Sequence, residues 1–503
     1  MDFTPVARLF FKNRIAAAHD FATCGDEVQL RQLRSLLNAA RHTAYGKLYG
    51  FADIDSYAKW SERVPVVSYE ELKPYIMKAL AGERDRLWRG TTTHFAQSSG
   101  TSDGRSKFIP ITADSFAKCH YRGAADVVAH YLNINPHSRL FSGKAFILGG
   151  SFASTITAPK GVHVGDLSAN LIQNINPVAN LFRVPSKQVA LMEDWEKKLP
   201  ELVRQSIGEN ITNLSGVPSW FLSVLKKVLE TTGATCIHQV WRNLEVFFHG
   251  GINFEPYREI YNSICDTSKM HFINTYNASE GFFATQTSWD TTAMMLLLDI
   301  GVFFEFRTLD GSKVLPIWEV QQGETYALII TANNGLWRYE RGDTVTIESL
   351  APVKISIAGR TKHFINAFGE ELMVHNADAA ITATVKATGM GVLNYTAAPV
   401  YASREEKGRH QWLVEFDGDP DAEAVRHFAM LLDENLRKEN SDYDAKRTDD
   451  LFITRLEIVK ATPGVFDAWL KSTGKLGGQR KIPRLSNDRK IIDTILKLNN
   501  KAI

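Results

Sequence analysis

The central part of the chain alternates between short apolar runs and longer amphipathic segments. Apolar runs that predict buried strands lie at Ala145–Leu148, Leu244–Phe248 and Met270–Thr275. Segments with helical character lie between them, at Trp195–Ser206 and Ser219–Thr231. Strand, helix and strand in this order predict crossover units and a largely parallel sheet, so the pattern favours the α/β class.

The pattern changes on both sides of this central part. Residues 1–64 have the apolar spacing of helices, and Ser68 with Glu71 three positions later predicts a capping box at the start of a further helix. From about residue 293 to 361, short strands are separated by turn signals, which predicts a strand-rich subdomain with more antiparallel pairing.

A boundary between two domains is predicted near Thr361–His363. Beyond it, Trp412–Phe416 has strand character and Asp421–Lys438 is helical, which predicts a smaller α+β unit. We therefore expect a large N-terminal domain at 1–361 and a small, mobile C-terminal domain at 362–503.

Composition excludes several classes of function. The 503 residues carry a formal net charge of +2, so nothing in the charge argues for a surface that binds nucleic acid or a membrane. No apolar run reaches the length of about 18 residues that a membrane span needs. Four widely spaced cysteines form no C-x-x-C pair, which is typical of a reduced intracellular protein. We expect a cytoplasmic monomer that acts on small molecules.

Ser98–Lys107 is the stretch with the strongest chemical signal. It combines hydroxyls, glycines and a terminal lysine directly after the predicted strand Thr92–Ala96. Glycines let several backbone N–H groups point at one anion, while the hydroxyls add donors and the lysine adds positive charge. Because the G-x-x-x-x-G-K-[ST] spacing is absent, the stretch alone leaves open a polyphosphate-binding loop and a polar surface turn.

Further motifs favour the first of these interpretations. Tyr276–Gly281 follows the buried run at Met270–Thr275, Trp337–Asp343 comes next, and Gly359–Lys362 lies close to the domain boundary. Several ordered motifs, each beside a defined element, are far harder to obtain by chance than one. Ligands bind at the carboxyl ends of parallel strands, so the motifs together indicate a nucleotide site.

The order SSGTS-x-G-x-x-K-x-IP, Y-N-A-S-E-G and R-Y-x-x-G-D resembles the adenylate-forming enzyme superfamily. More narrowly, the chain resembles the acyl acid amido synthetases of the auxin-responsive Gretchen Hagen family. That family carries a similar P-G-x-F-D segment and a late Q-x-K-x-P-R, matched here by Pro463–Asp467 and Gln479–Arg484. The resemblance implies a large α/β adenylating domain with parallel sheets and a small α+β C-terminal domain.

The motifs and the resemblance together define a candidate site for ATP and Mg²⁺. We expect Tyr276 to stack on adenine and Asp343 to accept hydrogen bonds from the ribose hydroxyls. Glu280 is the candidate magnesium ligand, since Mg²⁺ prefers oxygen ligands. The candidate nucleotide-binding residues are Ser98, Ser99, Gly100, Thr101, Gly104, Lys107, Gly250, Gly251, Tyr276, Asn277, Ser279, Asp343, Arg360 and Lys362.

Lys481 and Glu280 are the candidate catalytic residues. Adenylate formation builds negative charge between the attacking acid and the α-phosphate, and a flexible cation stabilises that charge. The glycine-rich stretch Gly474–Gly478 before Lys481 is typical of a mobile loop. The alternative interpretation of Lys481 is a basic surface tail.

Three further places in the sequence are interpreted differently from the motifs around them. The superfamily usually has Arg where this chain has Glu340, so no role is assigned to Glu340 and Arg360 is the expected substitute. His249, just before the two candidate glycines, is as compatible with a core histidine as with a ligand contact. The adjacent carboxylates Glu370 and Glu371 are interpreted as surface of the domain junction, since neighbours on a strand point opposite ways.

The reaction implied by the resemblance is a C–N ligation in two steps. A carboxylic acid attacks the α-phosphate of ATP to give acyl-AMP and pyrophosphate, and an amino acid amine then takes the acyl group and releases AMP. One alternative is an acyl-CoA ligase, because the ATP motifs do not separate a thiol from an amine. The other is a non-catalytic nucleotide-binding protein, which the joint presence of Glu280, Asp343 and Lys481 disfavours.

Overall fold

The computed structural model describes most of the chain. The described residues are 2–98, 107–154, 156–251, 253–360, 364–365, 367–368, 370, 372–401, 408–440, 443–444, 447, 453–473 and 482–500. Only the backbone is described for Ser98, Ser219, Pro256 and Arg360.

The N-terminal region is helical, as its apolar spacing predicts. Its helices are α1 (Thr4–Thr23), α2 (Gly25–Ala40), α3 (Ala44–Leu48), α4 (Tyr57–Arg63) and α5 (Tyr69–Leu80), with a 3-10 turn at Phe51–Asp53. The predicted capping box at the start of α5 is confirmed, because the Ser68 N–H donates to the Glu71 carboxylate at 2.7 Å. This reciprocal cap fixes where the chain turns into α5.

An antiparallel strand pair and a long helical segment follow. The elements are β1 (His94–Ser98), β2 (Lys107–Ile111), α6 (Ala113–Ser115), a π-helical turn at Phe116–His120, α7 (Tyr121–Ile134) and a 3-10 turn at Leu140–Ser142. β1 pairs with β2 so that Ser98 faces Lys107. The hydroxyl-rich loop therefore leaves and rejoins this sheet at directly paired positions.

The central region alternates strands and helices. Its elements are β3 (Lys144–Ile147), β4 (His163–Gly165), α8 (Leu167–Gln173), α9 (Pro177–Leu181), β5 (Arg183–Val184), α10 (Lys187–Ala190), α11 (Trp195–Ser206), β6 (Ile211–Gly216), α12 (Pro218–Thr232), α13 (Ile237–Val240), β7 (Val246–Gly250), a 3-10 turn at Glu255–Tyr257, α14 (Arg258–Ile264) and β8 (His271–Ala278). β4 joins β1 in parallel to complete a three-stranded sheet. The predicted parallel sheet is confirmed, in the order β5-β3-β6-β7-β8.

The next strands continue the same sheet with antiparallel pairs. They are β9 (Gly281–Gln286), β10 (Met294–Leu296), β11 (Val302–Thr308), β12 (Val314–Pro316), β13 (Thr325–Ala332), β14 (Tyr339–Leu350) and β15 (Val353–Arg360). The full order of this twelve-stranded sheet is β12-β11-β13-β14-β15-β10-β9-β8-β7-β6-β3-β5. The antiparallel pairs of this region agree with the strand-rich subdomain that its turn signals predict.

The chain divides into two compact units. The first unit consists of residues 2–251 and 266–356, and the described residues of the second lie in 253–265, 357–473 and 482–500. The later elements of the second unit are β16 (Phe364–Ile365), β17 (Leu372–Met373), α15 (Val374–Thr388), β18 (Val392–Val400), β19 (Arg409–Phe416), α16 (Ala422–Glu439), β20 (Glu457–Lys460), α17 (Val465–Ser472) and α18 (Lys490–Asn499). In the described part of the chain, no helix has the length and apolar character needed to cross a membrane.

Inside the second unit, the segment around α14 is joined to the C-terminal elements by buried polar contacts. The Tyr257 hydroxyl donates to the Leu393 carbonyl at 2.8 Å and accepts from Arg484 Nη2 at 2.9 Å. The Arg484 guanidinium lies 4.5 Å from the centroid of the Tyr395 ring, whose hydroxyl donates to Asp378 at 2.6 Å. These contacts explain why a segment from the middle of the sequence belongs to this unit.

The interpretation of Glu370 as junction surface is wrong. Its side chain is fully buried and lies 2.8 Å from His410 Nε2, while its carboxylate also accepts from the Ala367 and Phe368 N–H groups. Burial acts to raise the pKa of this carboxyl, but the hydrogen bond and charge of His410 outweigh it and hold the pKa below its usual value.

Candidate functional site

The strand that follows the predicted phosphate loop is in contact with helix α5 at its first residues. Lys107 starts β2 half-buried, with its Nζ 5.5 Å from the centroid of the Tyr69 ring. The Tyr69 hydroxyl in turn accepts the Phe108 N–H at 2.8 Å, so α5 holds the base of the loop. Outside the described residues lie Ser99, Gly100, Thr101 and Gly104, together with the side chain of Ser98.

Gly250 and Gly251 stand where strand β7 ends beside β8. A Cβ on Gly250 would lie 2.4 Å from the Thr275 carbonyl oxygen and 2.7 Å from Thr275 Oγ1. Gly251 has a φ of 88°, in the left-handed region that favours glycine. Both positions therefore need glycine, and they lie at the carboxyl edge of the parallel strands. His249, just before them, is buried with its ring centroid 5.6 Å from that of Phe247.

A tight hairpin turn brings Glu280 to the same edge. β8 and β9 are antiparallel, with Ala278 opposite Gly281, so Ser279 and Glu280 form the two-residue turn. Asn334 Nδ2 donates to the Glu280 carbonyl at 3.0 Å and fixes the turn from a neighbouring loop. The Glu280 side chain is buried, while Ser279 is half-buried.

Strand β14 is irregular at the third motif. In the pairing of β13 with β14, Ala327 is opposite Thr344 and Ile329 is opposite Glu340. The register of this pairing therefore shifts around residues 341–343. Gly342, within this irregular stretch, has a φ of 87°, in the left-handed region that favours glycine. The irregularity sets the direction of the side chains on either side of this glycine, Arg341 and Asp343.

A strained residue directly precedes β14. Arg338 has a φ of 42°, unusual for a residue with a side chain. Its guanidinium is held by Glu305 at 2.8 and 3.1 Å and donates to the Ser61 and Val64 carbonyls. These contacts hold Arg338 in its strained backbone conformation. Strained residues of this kind cluster at functional sites.

Four side chains from these elements meet in a buried group, which we call the carboxylate cluster: Tyr276, Glu280, Arg341 and Asp343. The Tyr276 hydroxyl donates to Asp343 Oδ2 at 2.6 Å and accepts from Arg341 Nη1 at 2.9 Å. Arg341 Nη2 lies 3.0 Å from Asp343 Oδ2 and 3.6 Å from Glu280 Oε2. Each of the four side chains is less than a tenth exposed. Residues far apart in sequence thus form one charged group.

The cluster has an excess of negative charge. Burial acts to lower the pKa of Arg341, but Asp343, Tyr276 and Glu280 outweigh burial and raise it, so the guanidinium stays charged. One guanidinium faces two carboxylates, which leaves a formal charge of −1. Among the described residues, no three His, Cys, Asp or Glu side chains come together as a preformed metal site.

The structure brings together only some of the residues predicted from the motifs. It joins Tyr276, Glu280 and Asp343, and the Tyr276 ring packs against Phe283 at 5.1 Å between centroids. Arg360 ends β15 with only its backbone described, while Lys362 and Lys481 lie outside the described residues. Sequence reasoning missed Arg341, although an arginine one position from where the superfamily usually has one was a usable signal.

The fold as a whole is similar to that of two solved ligase structures. A solved structure of GH3.15 acyl acid amido synthetase matches with a TM-score of 0.78 at 19% identity, covering 97% of this chain and 95% of that one. A 2-hydroxyisobutyryl-CoA ligase in complex with 2-HIB-AMP matches with a TM-score of 0.61 at 14% identity, covering 94% and 91%. At these identities the likeness establishes the fold.

Sequence comparison defines the family. The GH3 family N-terminal domain matches residues 14–270, the central domain 295–360 and the C-terminal domain 375–490. The chain belongs to the GH3 family, which confirms the resemblance predicted from its motifs. Indole-3-acetic acid-amido synthetase GH3.3 of Arabidopsis thaliana is 35% identical over 557 residues, covering 91% of this chain and 89% of the relative. Indole-3-acetic acid-amido synthetase GH3.8 of Oryza sativa subsp. indica is 22% identical, covering 92% and 89%.

Proposed function

We propose that this chain is an ATP-dependent acyl acid amido synthetase. It activates a carboxylic acid as acyl-AMP and transfers the acyl group to the amine of an amino acid. The observation that carries the proposal is the match to all three GH3 family domains, in order, across residues 14–490. The curated relatives that cover most of the chain are named as amido synthetases, which supports amine rather than thiol as the acceptor.

In the first half-reaction, the protein holds ATP and the acid in line. The carboxylate oxygen forms a bond to the α-phosphorus as the bond to the pyrophosphate oxygen breaks. The role proposed for Asp343 is to accept hydrogen bonds from the ribose hydroxyls, while Lys107 and the loop that it follows hold the phosphates. Gly250 and Gly251, which lie at the carboxyl edge of the parallel strands, are proposed to let the backbone approach the base. Such a site acts mainly by positioning and charge neutralisation.

Mg²⁺ fits this site as an ion carried by the nucleotide. It is usually bound by one or two carboxylates together with substrate phosphates. Glu280 offers one buried carboxylate in a cluster of net negative charge, which suits that arrangement. When bound, the ion would neutralise the phosphates, and Glu280 is the residue proposed to hold it.

In the second half-reaction, the amine nitrogen attacks the acyl carbon, AMP leaves and one proton is released. Lys481 is proposed to act only in the first half-reaction, where charge develops at the α-phosphate. The small mobile C-terminal domain at 362–503 stays a prediction, in which its closure keeps water from the reactive adenylate.

Exchange of radiolabelled pyrophosphate into ATP tests adenylation directly. We expect exchange that depends on both an acid and Mg²⁺, measured across a panel of aromatic and aliphatic acids. Absence of exchange with every acid, under conditions where calorimetry shows ATP binding, would contradict the proposal and favour a non-catalytic nucleotide-binding protein.

A competition experiment identifies the acceptor. The acid that supports exchange is incubated with ATP and either mixed amino acids or coenzyme A, and the products are separated by mass spectrometry. An amide with an amino acid is the expected product. Thioester formation without amide would show that the protein is an acyl-CoA ligase instead.

A further inference from the structure

The outer face of helix α1 exposes large apolar side chains. Leu9 is 77% exposed and Phe10 is 80% exposed, and Val6 and Phe3 before them are exposed as well. Val6, Leu9 and Phe10 are three and four positions apart, so they lie on the same side of the helix. A helix that faces only water usually carries polar residues at such positions, so this side of α1 has the character of a contact surface.

Residues at the end of α9 extend this surface. The ring centroids of Phe3 and Phe182 lie 5.9 Å apart, and Leu181 beside Phe182 is also exposed. We call the six side chains the apolar patch, and they are between 38% and 80% exposed: Phe3, Val6, Leu9, Phe10, Leu181 and Phe182. All six belong to the first unit.

The opposite side of α1 is held in place by buried ion pairs. Arg14 donates to the Asp126 carboxylate at 2.6 and 2.7 Å and to the Asp299 carboxylate at 2.7 and 2.8 Å. Arg8 donates to backbone carbonyls that follow α7 at 2.8 and 3.0 Å. Turning α1 to bury the apolar patch would break these contacts, so the patch stays on the outside of the unit.

The apolar patch is large for a surface that only water covers. A fully exposed side chain of this size presents roughly 150–250 Å², so at these exposures the patch presents roughly 700 Å². The largest apolar patch on a monomer is usually about 300–600 Å². Two such patches that cover each other would bury about 1,400 Å², which is within the range of a standard specific interface.

The charges around the apolar patch favour a protein partner over a lipid surface. Of the lysines and arginines in α1, which is described over its whole length, only Lys12 is exposed. Arg8 is engaged with backbone carbonyls, and the nearby Arg139 pairs with Asp2. Helices that lie on membranes are rich in Lys and Arg on their polar face, which α1 is not. Charged residues are depleted at the centre of protein interfaces, as they are here.

The shape of the exposed side of α1 fits a second copy of itself. It is bulky at Phe3 and Val6, and it continues beyond Phe10 with the exposed, smaller residues Asn13 and Ala16. A two-fold axis between Leu9 and Phe10 would set α1 antiparallel to its copy. Phe3 would then lie opposite Ala16, and Val6 opposite Asn13. Each bulky side chain would therefore meet a smaller one.

We propose that this chain forms a two-fold homodimer through the apolar patch, with α1 antiparallel to α1 of the second copy. The inference goes beyond the proposed function and does not depend on it. A dimer differs from the monomer expected from the sequence, and the oligomeric state in solution decides between them.

The test compares four forms of the full-length protein: the parent, L9K, F10K and the control L309K. Leu309 follows strand β11 and is 57% exposed, so L309K adds the same charge at an exposed leucine outside the apolar patch. Substitutions at exposed positions change stability little, and thermal unfolding should therefore give similar midpoints for all four proteins.

Sedimentation velocity measures the mass of each protein across about 0.1 to 50 μM. The parent should be a dimer with a dissociation constant that is micromolar or tighter, as interfaces of this size give. L9K and F10K should raise this constant at least about tenfold, because each places a charge in an apolar interface. L309K should match the parent. A parent that is monomeric across the range, or a dimer that L9K and F10K leave unchanged, would overturn the inference.

Vesicle flotation tests the other occupant of the apolar patch. The parent and the variants are mixed with vesicles of phosphatidylcholine and phosphatidylserine, and we expect all of them to stay with the unbound fraction. A monomeric parent that floats with the vesicles, together with L9K that does not float and L309K that does, would refute the dimer and assign the apolar patch to a lipid surface.

Discussion

Replacing Tyr276 by Phe separates two roles of this residue. The sequence predicts that the ring stacks on adenine, whereas the structure shows the hydroxyl donating to Asp343 at 2.6 Å and accepting from Arg341 at 2.9 Å. Tyr276→Phe keeps the ring and removes both hydrogen bonds. If stacking were the whole contribution, the variant would bind nucleotide like the parent.

The expected loss of stability depends on which contacts remain in the carboxylate cluster after the substitution. A hydrogen bond to a charged group contributes about 1.5–3 kcal/mol, but Arg341 and Asp343 stay in contact at 3.0 Å after the change. We therefore expect the variant to lose the equivalent of one such hydrogen bond. This loss should lower the free energy of unfolding of the first unit by about 1.5–3 kcal/mol. Because Asp343 then loses the hydrogen bond from the Tyr276 hydroxyl, AMP affinity should fall by roughly tenfold.

Urea unfolding and AMP calorimetry measure these two quantities. Tyr57→Phe is the matched control, because the Tyr57 hydroxyl donates to the Glu305 carboxylate at 3.1 Å in the same unit but outside the cluster. The control should lose stability and keep its AMP affinity. If Tyr276→Phe also lost only stability, the hydroxyl would be structural, and the idea that it orients Asp343 would be refuted.

Three further predictions concern other charged residues. Glu280→Gln should slow adenylation by roughly 10²-fold, and excess Mg²⁺ should restore part of it; an unchanged rate at limiting Mg²⁺ would make Glu280 structural. Lys481→Ala should reduce pyrophosphate exchange on the order of 10²–10³-fold but leave amide formation from synthetic acyl-AMP near the parent rate; equal losses in both would indicate a general nucleotide clamp. Glu370→Gln should lower the free energy of unfolding at pH 7 by about 1.5–3 kcal/mol. Because the folded pKa of Glu370 lies below its unfolded value of 4.5, the deficit should be full above pH 4.5, begin to shrink below it and vanish as the pH falls through the folded pKa. A deficit that does not shrink below pH 4.5 would contradict the pairing with His410.

Several elements could be predicted because their signal is local. The apolar run at 244–248 became β7 (Val246–Gly250), buried along its whole length. Helix α11 begins and ends where its pattern predicted, since Asp194 caps it by accepting from the Glu196 and Lys197 N–H groups. The family could be predicted because its motifs are contiguous and ordered, and the GH3 domain matches confirm it.

Other features depend on contacts that no local pattern contains. Glu370 is buried because His410 lies beside it, and forty positions separate the two residues in the sequence. The sequence places Glu370 next to a second glutamate, Glu371, which lies outside the described residues, and nothing local to Glu370 indicates that it is buried. Arg341 was missed for a related reason: its partners Glu280 and Tyr276 come from a hairpin about sixty residues earlier.

The second unit is discontinuous in sequence, and this has a consequence for how such proteins diverge. Its residues 253–265 and those from 357 onward are separated by a stretch that belongs to the first unit. A chimera that takes only the residues from 357 onward from a relative would place the relative's residues against Tyr257, whose hydroxyl accepts from Arg484. A single recombination breakpoint therefore cannot transplant the unit intact. Substitutions in the short internal segment should instead accumulate in step with those around Arg484, and functional chimeras should need both pieces from the same parent.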